Sequence, residues 1–167
     1  MPTQRPSTIA KGRGPGRARP ATLRRLAAGL AIVAVALLVV AEFSTVVRVV
    51  VGSLETERRT VAGRDNHGYA RLVVALAALP LTLLALRGAR AAGAALVILG
   101  AVALFVALAI DLPATRESGQ LPGSVAFEGA QARPGPGLGL EIAGGLALVM
   151  AGAGLLGTRV KRRRTGP

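Results

Sequence analysis

The chain has 167 residues, 51 % of them hydrophobic but only 2 % aromatic, and its formal net charge is +13. A water-soluble core of this size normally uses more Phe, Tyr and Trp, because those rings bury large areas. Here the apolar mass is Ala, Leu, Val and Gly in long runs, which is the composition of a membrane protein. The absence of cysteine excludes disulfides, thiolate zinc sites and cysteine nucleophiles. The length is that of one domain. Heavy use of Arg, Ala and Gly points to a high-GC bacterial genome.

Residues 1–22 are polar, rich in Pro, Gly and Arg, and contain no acid. Such a segment cannot bury enough apolar surface to fold alone, so it is expected to be a disordered basic tail. Four apolar segments follow, at about residues 26–47, 72–86, 91–110 and 138–157. The first, of roughly 22 residues, reaches about 33 Å as a helix, enough for a hydrocarbon core of about 30 Å. The second is short and spans only if Tyr69, Arg71 and Arg87 reach to the interfaces. The third and fourth have the standard spanning length. No water is present in the membrane to satisfy backbone groups, so runs this long are expected to be helices. The first run is not expected to be a cleaved leader, because "VVA" before Glu42 has Val where a small residue is wanted.

Charge predicts the orientation. The segment before the first span, the turn "LRGAR" and the tail from residue 159 together hold fourteen basic residues and no acid. The two remaining loops, with the adjoining span ends, hold seven basic residues and all eight acids. The positive-inside rule therefore places both termini in the cytoplasm. The reading is an all-α, polytopic four-helix membrane bundle over residues 23–158, flanked by basic cytoplasmic tails (1–22 and 159–167), in a bacterial plasma membrane. Basic tails beside spans meet anionic lipid headgroups. The interleaved aromatic and basic residues of a single-strand binder are missing, so no nucleic-acid partner is expected. Lipid, a membrane protein and a second copy of the chain are the partners this composition suits.

Small residues mark helix packing. In "EIAGGLALVMAGAGLLG", Ala143, Ala147 and Ala151 are spaced by four, and Gly145 and Gly152 by seven. The third span offers Gly93 with Gly100 and Ala103 with Ala107. Such stripes let backbones approach closely, either within one bundle or between two copies. Pro80, in the middle of the second span, frees the Leu76 carbonyl and predicts a kink, with Thr82 nearby to satisfy backbone groups.

The ionisable residues carry the functional question. Glu42, Asp111 and Glu141 fall near the outer ends of spans one, three and four, and His67 and Arg71 lie where the second begins. Facing inward, they form a small outer polar cluster, and charge inside a membrane is costly enough to mark a functional candidate. Plainer readings exist. Asp111 can be a solvated loop residue at "DLPATRES". Glu141, in a first helical turn, suits the positive end of the dipole. His67, in "GRDNHGYARL", also fits an ordinary turn, or a group titrating near neutrality. Glu42 is the hardest to dismiss, being some 6 Å below the outer boundary by helical rise. Arg48 is a poor partner for it, since six residues place it about 240° around the helix. Arg71 or His67 across the bundle serves better. One histidine without cysteine makes no transition-metal site, and neither a metal nor a cofactor is expected.

Residues 111–137 form a long Pro-containing loop in which "GSVAFEGAQ" is predicted as a short surface helix, with Val125 and Phe127 toward lipid. No phosphate loop, Ser-His-Asp set or HExxH occurs, and the chain is not expected to be an enzyme. The stretches "GRDNHGYARLVVALAALPL" and "AFEGAQARPGPGLGLEIAGGLALV" resemble small four-helix membrane proteins of actinobacteria without an assigned activity. The layout is also loosely similar to the tryptophan-associated transmembrane protein family. The resemblance covers residues 26–157 and implies fold and location, with no catalytic residue carried over. Accessory or structural membrane component is the leading functional expectation. A small transporter or sensor subunit using the outer cluster is the alternative.

Overall fold

The computed structural model describes residues 19–51, 56–62, 68–116, 118–120 and 129–163. His67, Val125, Phe127 and the tail before Arg19, with its expected disorder, fall outside them. Four long helices carry the fold. α1 is Arg19–Phe43, α2 is Ala70–Arg87, and α4 is Pro136–Arg163. α3 begins as Arg90–Phe105, loosens into a π-helical segment at Val106–Asp111, and closes with a turn at Leu112–Ala114. Each contains a segment long and apolar enough to cross a membrane. The chain is thus a helical membrane bundle, with four candidate spans among the described residues. Large apolar side chains such as Leu26, Leu83, Ile98, Phe105 and Met150 remain exposed on its surface. In water a surface this apolar would be a liability, whereas lipid covers it.

The helices pack in a ring, α1 on α2, α2 on α3, α3 on α4, and α4 back on α1. α1 and α2 each bury a stripe with steps of three and four residues. In α1 the stripe is Ala27, Ala31, Ala34, Leu38 and Glu42; in α2 it is Arg71, Ala75, Ala78, Thr82 and Ala85. Alternating steps of three and four keep side chains on one face of a helix turning 100° per residue. Most stripe residues are Ala or Gly because, in lipid, association rests on close backbone contact.

α4 is held between two neighbours by its glycines. A Cβ at Gly145 would lie 2.9 Å from the Leu104 side chain and 3.2 Å from the Gly100 carbonyl, and one at Gly152 would lie 2.8 Å from the Gly93 carbonyl. Gly144 faces Leu38 and Ala34 of α1 instead. Ala147 and Ala151 are buried, but Ala143 is exposed, so the three expected as one stripe do not share a face. Successive steps of four drift by about 40° each, which carries Ala143 away from the buried face. Pro80 sits within α2, which continues through it. The Thr82 hydroxyl donates to the Ala78 carbonyl (2.7 Å), not to that of Leu76. α2 stops at Gly88 (φ 119°), whose N–H donates to the Leu84 and Ala85 carbonyls. That left-handed conformation suits glycine and turns the chain directly into α3.

The loops at the other end depart from expectation. The first helix ends at Phe43 rather than Val47. There the Ser44 hydroxyl takes the Val40 carbonyl (2.7 Å) and its N–H takes that of Ala41. The β-branched run that follows, Thr45–Val51, is a strand, β1, in keeping with its stiff side chains. With β2 (Thr56–Ala62), β3 (Ser118–Gln120) and β4 (Gly129–Pro134) it forms an antiparallel sheet in the order β2-β1-β4-β3. The sheet is a small addition to a helical fold. Of the surface helix expected at "GSVAFEGAQ", Gly129–Gln131 are strand instead, and residues 123–128 lie outside the described residues. A register irregularity between Thr45 and Val47 turns both Val46 and Val47 inward. They pack with Ala107 and Leu138, flanked by Leu112, Ala132 and Ile142, into an apolar layer between sheet and bundle.

"RPGPG" joins β4 to α4, and its first glycine is held against β1. The Gly135 N–H donates to the Val46 carbonyl (2.7 Å), and a Cβ there would stand 2.3 Å from the Thr45 carbonyl oxygen. Gly135→Ala is therefore expected to destabilise the protein by about 1–3 kcal/mol in thermal melts, as an overpacked site does. Gly139→Ala, whose Cβ meets nothing within 4 Å, is the matched control and should leave the melt unchanged.

Candidate functional site

Antiparallel packing brings the end of α1, the start of α2, the end of α3 and the start of α4 to the sheet end of the bundle. Each helix delivers one ionisable side chain there. Arg71, the second residue of α2, is 3 % exposed, and Glu42, Asp111 and Glu141 are fully buried. The Arg71 Nη2 donates to Asp111 Oδ2 and stands 2.7 Å from Glu141 Oε2, and Nη1 stands 3.9 Å from Glu42 Oε2. One guanidinium thus meets a carboxyl group from every other helix. Arginine suits this position because its planar fork stays charged and presents donors in several directions.

Local structure explains the placement. Glu42 is four residues beyond Leu38 and continues the buried stripe of α1. Arg71 begins the stripe of α2. The turn before it uses two left-handed residues, Gly68 (φ 54°) and Tyr69 (φ 67°). That conformation is strained for a bulky residue such as tyrosine, and strain of this kind clusters at functional positions. Asp111 closes the π-helical segment of α3, and π segments are likewise concentrated at functional sites. Residues within five positions of each acid in sequence (Val46 and Val47, Ala107 and Leu112, Leu138 and Ile142) pack together as the apolar layer at this end of the bundle.

These positions decide between the alternatives left by the sequence. Asp111 is no solvated loop residue, since the helix runs past it to Ala114. Glu141 lies beyond the first turn of α4, which starts at Pro136, so the helix dipole does not account for it. Arg71 does not reach to the interface as a short second span would need, because α2 extends to Ala70–Arg87 and takes Arg71 inside. Arg48 is on β1 and exposed. His67 lies outside the described residues.

The site is not evenly satisfied. Among the described residues, neither carboxylate oxygen of Glu42 or Glu141 has a hydrogen-bond partner, and neither do Nε and Nη1 of Arg71. The 2.7 Å contact of Glu141 is close without being aligned as a hydrogen bond. Such groups are costly when dry and unpaired. The sequence drew attention to all four residues of this centre. It did not indicate the apolar layer at this end of the bundle, for which the alternation-free run "TVVRVVV" was the available signal. No group of three or more His, Cys, Asp or Glu among the described residues is arranged to hold a metal ion. No protein-family model and no curated protein matches the chain.

Proposed function

We propose that this chain is a non-enzymatic accessory component of a bacterial plasma membrane, a rigid bundle that offers its sheet end to a membrane partner. The observation that supports this reading is the convergence of three carboxyl groups from three helices on Arg71, which ties all four helices together at that end. A charged centre buried at the same end as an apolar layer serves the shape of the molecule. The resemblance to small four-helix actinobacterial membrane proteins agrees with it. Both termini lie in the cytoplasm on this reading, with the sheet outside, as the distribution of Arg and Lys favours.

Photo-crosslinking from β4 in native membranes tests the reading. A discrete protein adduct is expected, and adducts to lipid alone count against it. A reporter fused at residue 125 should read external and one at residue 89 internal; the reverse pattern removes the orientation.

A second reading, a small sensor or transporter subunit that works through the Arg71 centre, is favoured by one observation. Three carboxyl groups surround one guanidinium, and several of their oxygens have no donor among the described residues. A centre built only to hold helices together needs no such excess.

A further inference from the structure

We propose that the end of the bundle opposite the sheet binds anionic phospholipid, with Arg25, Arg87 and Arg90 on the headgroup phosphate and the exposed apolar stripes beside them along the acyl chains. This concerns the other end of the molecule from the Arg71 centre and rests on neither reading above.

Three helices each place an arginine where an exposed stripe runs out. In α1 the exposed positions Gly29 and Ile32 follow exposed Arg25 in steps of four and three. In α2 the exposed Leu76, Pro80 and Leu83 lead to exposed Arg87 in steps of four, three and four. In α3 exposed Arg90 leads to Ala94 and Ile98, both exposed, in steps of four. Such steps keep side chains on one side of a helix, so each arginine shares the face that acyl chains cover. An arginine at the end of a span lays its methylene stem on apolar surface and carries its guanidinium to the headgroups.

Packing brings the three to one level. A Cβ at Gly154 would stand 3.2 Å from the Ala27 Cβ, and one at Gly93 would stand 3.1 Å from the Leu156 side chain. Arg25 is just before Ala27 and Arg90 just before Gly93, so both flank the end of the apolar run of α4, where "RVKRR" continues the helix. The turn at Gly88 (φ 119°) joins Arg87 to Arg90 and sets the ends of α2 and α3 side by side. Glu42, Asp111 and Glu141 belong to the opposite end, about 25 Å or more away along their helices. Among the described residues no carboxylate is therefore placed to neutralise the three arginines. Guanidinium groups fit phosphate oxygens in pairs. Several at one level favour a headgroup of net negative charge over phosphatidylcholine, whose choline offsets its phosphate. The apolar stripes running up to them favour a lipid over a free anion.

The test uses the full chain purified in detergent and given phosphatidylglycerol or phosphatidylcholine, with bound lipid read by native mass spectrometry. The parent should retain phosphatidylglycerol in preference to phosphatidylcholine. Arg25→Gln, Arg87→Gln and Arg90→Gln should each weaken phosphatidylglycerol binding about fivefold, the factor equivalent to about 1 kcal/mol per basic residue at an anionic headgroup. Phosphatidylcholine binding should not change, and each variant should melt with the parent in detergent. Arg162→Gln/Arg163→Gln/Arg164→Gln, which alters the basic tail and leaves the three arginines in place, should keep the preference. A parent that holds the two lipids equally overturns the proposal, even where a variant fails to fold. A preference that survives Arg25→Gln/Arg87→Gln/Arg90→Gln and is lost in the tail variant also overturns it, because the tail then holds the lipid. Glycerol phosphate that displaces phosphatidylglycerol at equal concentration overturns it as well, since a free anion then suffices and the apolar stripes contribute nothing.

Discussion

Arg71→Met destabilises the bundle by about 3–5 kcal/mol, the loss expected when one member of a buried ionic group is removed. The substitution roughly keeps the volume of the side chain and removes the only cation that the described residues place among Glu42, Asp111 and Glu141. The buried carboxyls of Glu42, Asp111 and Glu141 then lose the guanidinium that faces them. Arg71→Lys recovers only part of the loss, since an ammonium is a compact point charge without the fork that reaches several carboxyls at once. Thermal melts in detergent, and accumulation of folded protein in membranes, are the measurements. An Arg71→Met protein that melts with the parent would show that the centre holds nothing together.

Gly100→Val is the second large effect, with a loss of about 3 kcal/mol from overpacking. A single Cβ at Gly100 would stand 2.8 Å from the Gly145 carbonyl oxygen and 2.8 Å from the Val149 nitrogen, both backbone atoms that cannot rotate aside. Valine adds two more carbons at the same point. α3 must then separate from α4, which also removes the contact between Gly93 and Gly152 two turns away. Gly157→Val, where a Cβ meets nothing within 4 Å, controls for the general effect of a β-branched residue in a glycine position. Equal melts for the two variants would exclude close α3–α4 packing as the source of stability.

The ionisable residues were legible in the sequence one by one, but the way they combine was not. Asp111 and Glu141 each had an ordinary explanation, as a loop residue and as a first-turn acid. Both explanations depended on where a helix starts or stops. α3 passes Ile110 and runs to Ala114, while α4 begins at Pro136, and these few residues move both acids from the rim to the interior. Helix ends are where sequence periodicity carries least information. A better signal was present in the spacing of alanines. Ala34 and Leu38 lead to Glu42, and Arg71 leads to Ala75 and Ala78, each in steps of three or four. An ionisable residue in register with a run of small residues shares their buried face.

"STVVRVVV" shows the opposite limit. Its apolar character fits a span, and the first span was accordingly expected to reach Val47. The decisive partners are distant in the chain, β4 at Gly129–Pro134 and the Gly135 N–H on Val46. A short β-branched run becomes strand when another strand is beside it to pair with, and composition alone does not supply that neighbour.

By itself the sequence determined the class of the protein and the four spanning-length helices among its described residues. Apolar length against the thickness of a bilayer is a local property, and small residues mark the faces that pack. Only the tertiary structure decided which ionisable groups meet. Bringing Glu42, Asp111 and Glu141 to one guanidinium takes four helix ends, a π-helical segment and a sheet folded over them. Those are long-range arrangements, and the burial that makes three carboxyls and one arginine a single chemical unit exists only once all of them are in place.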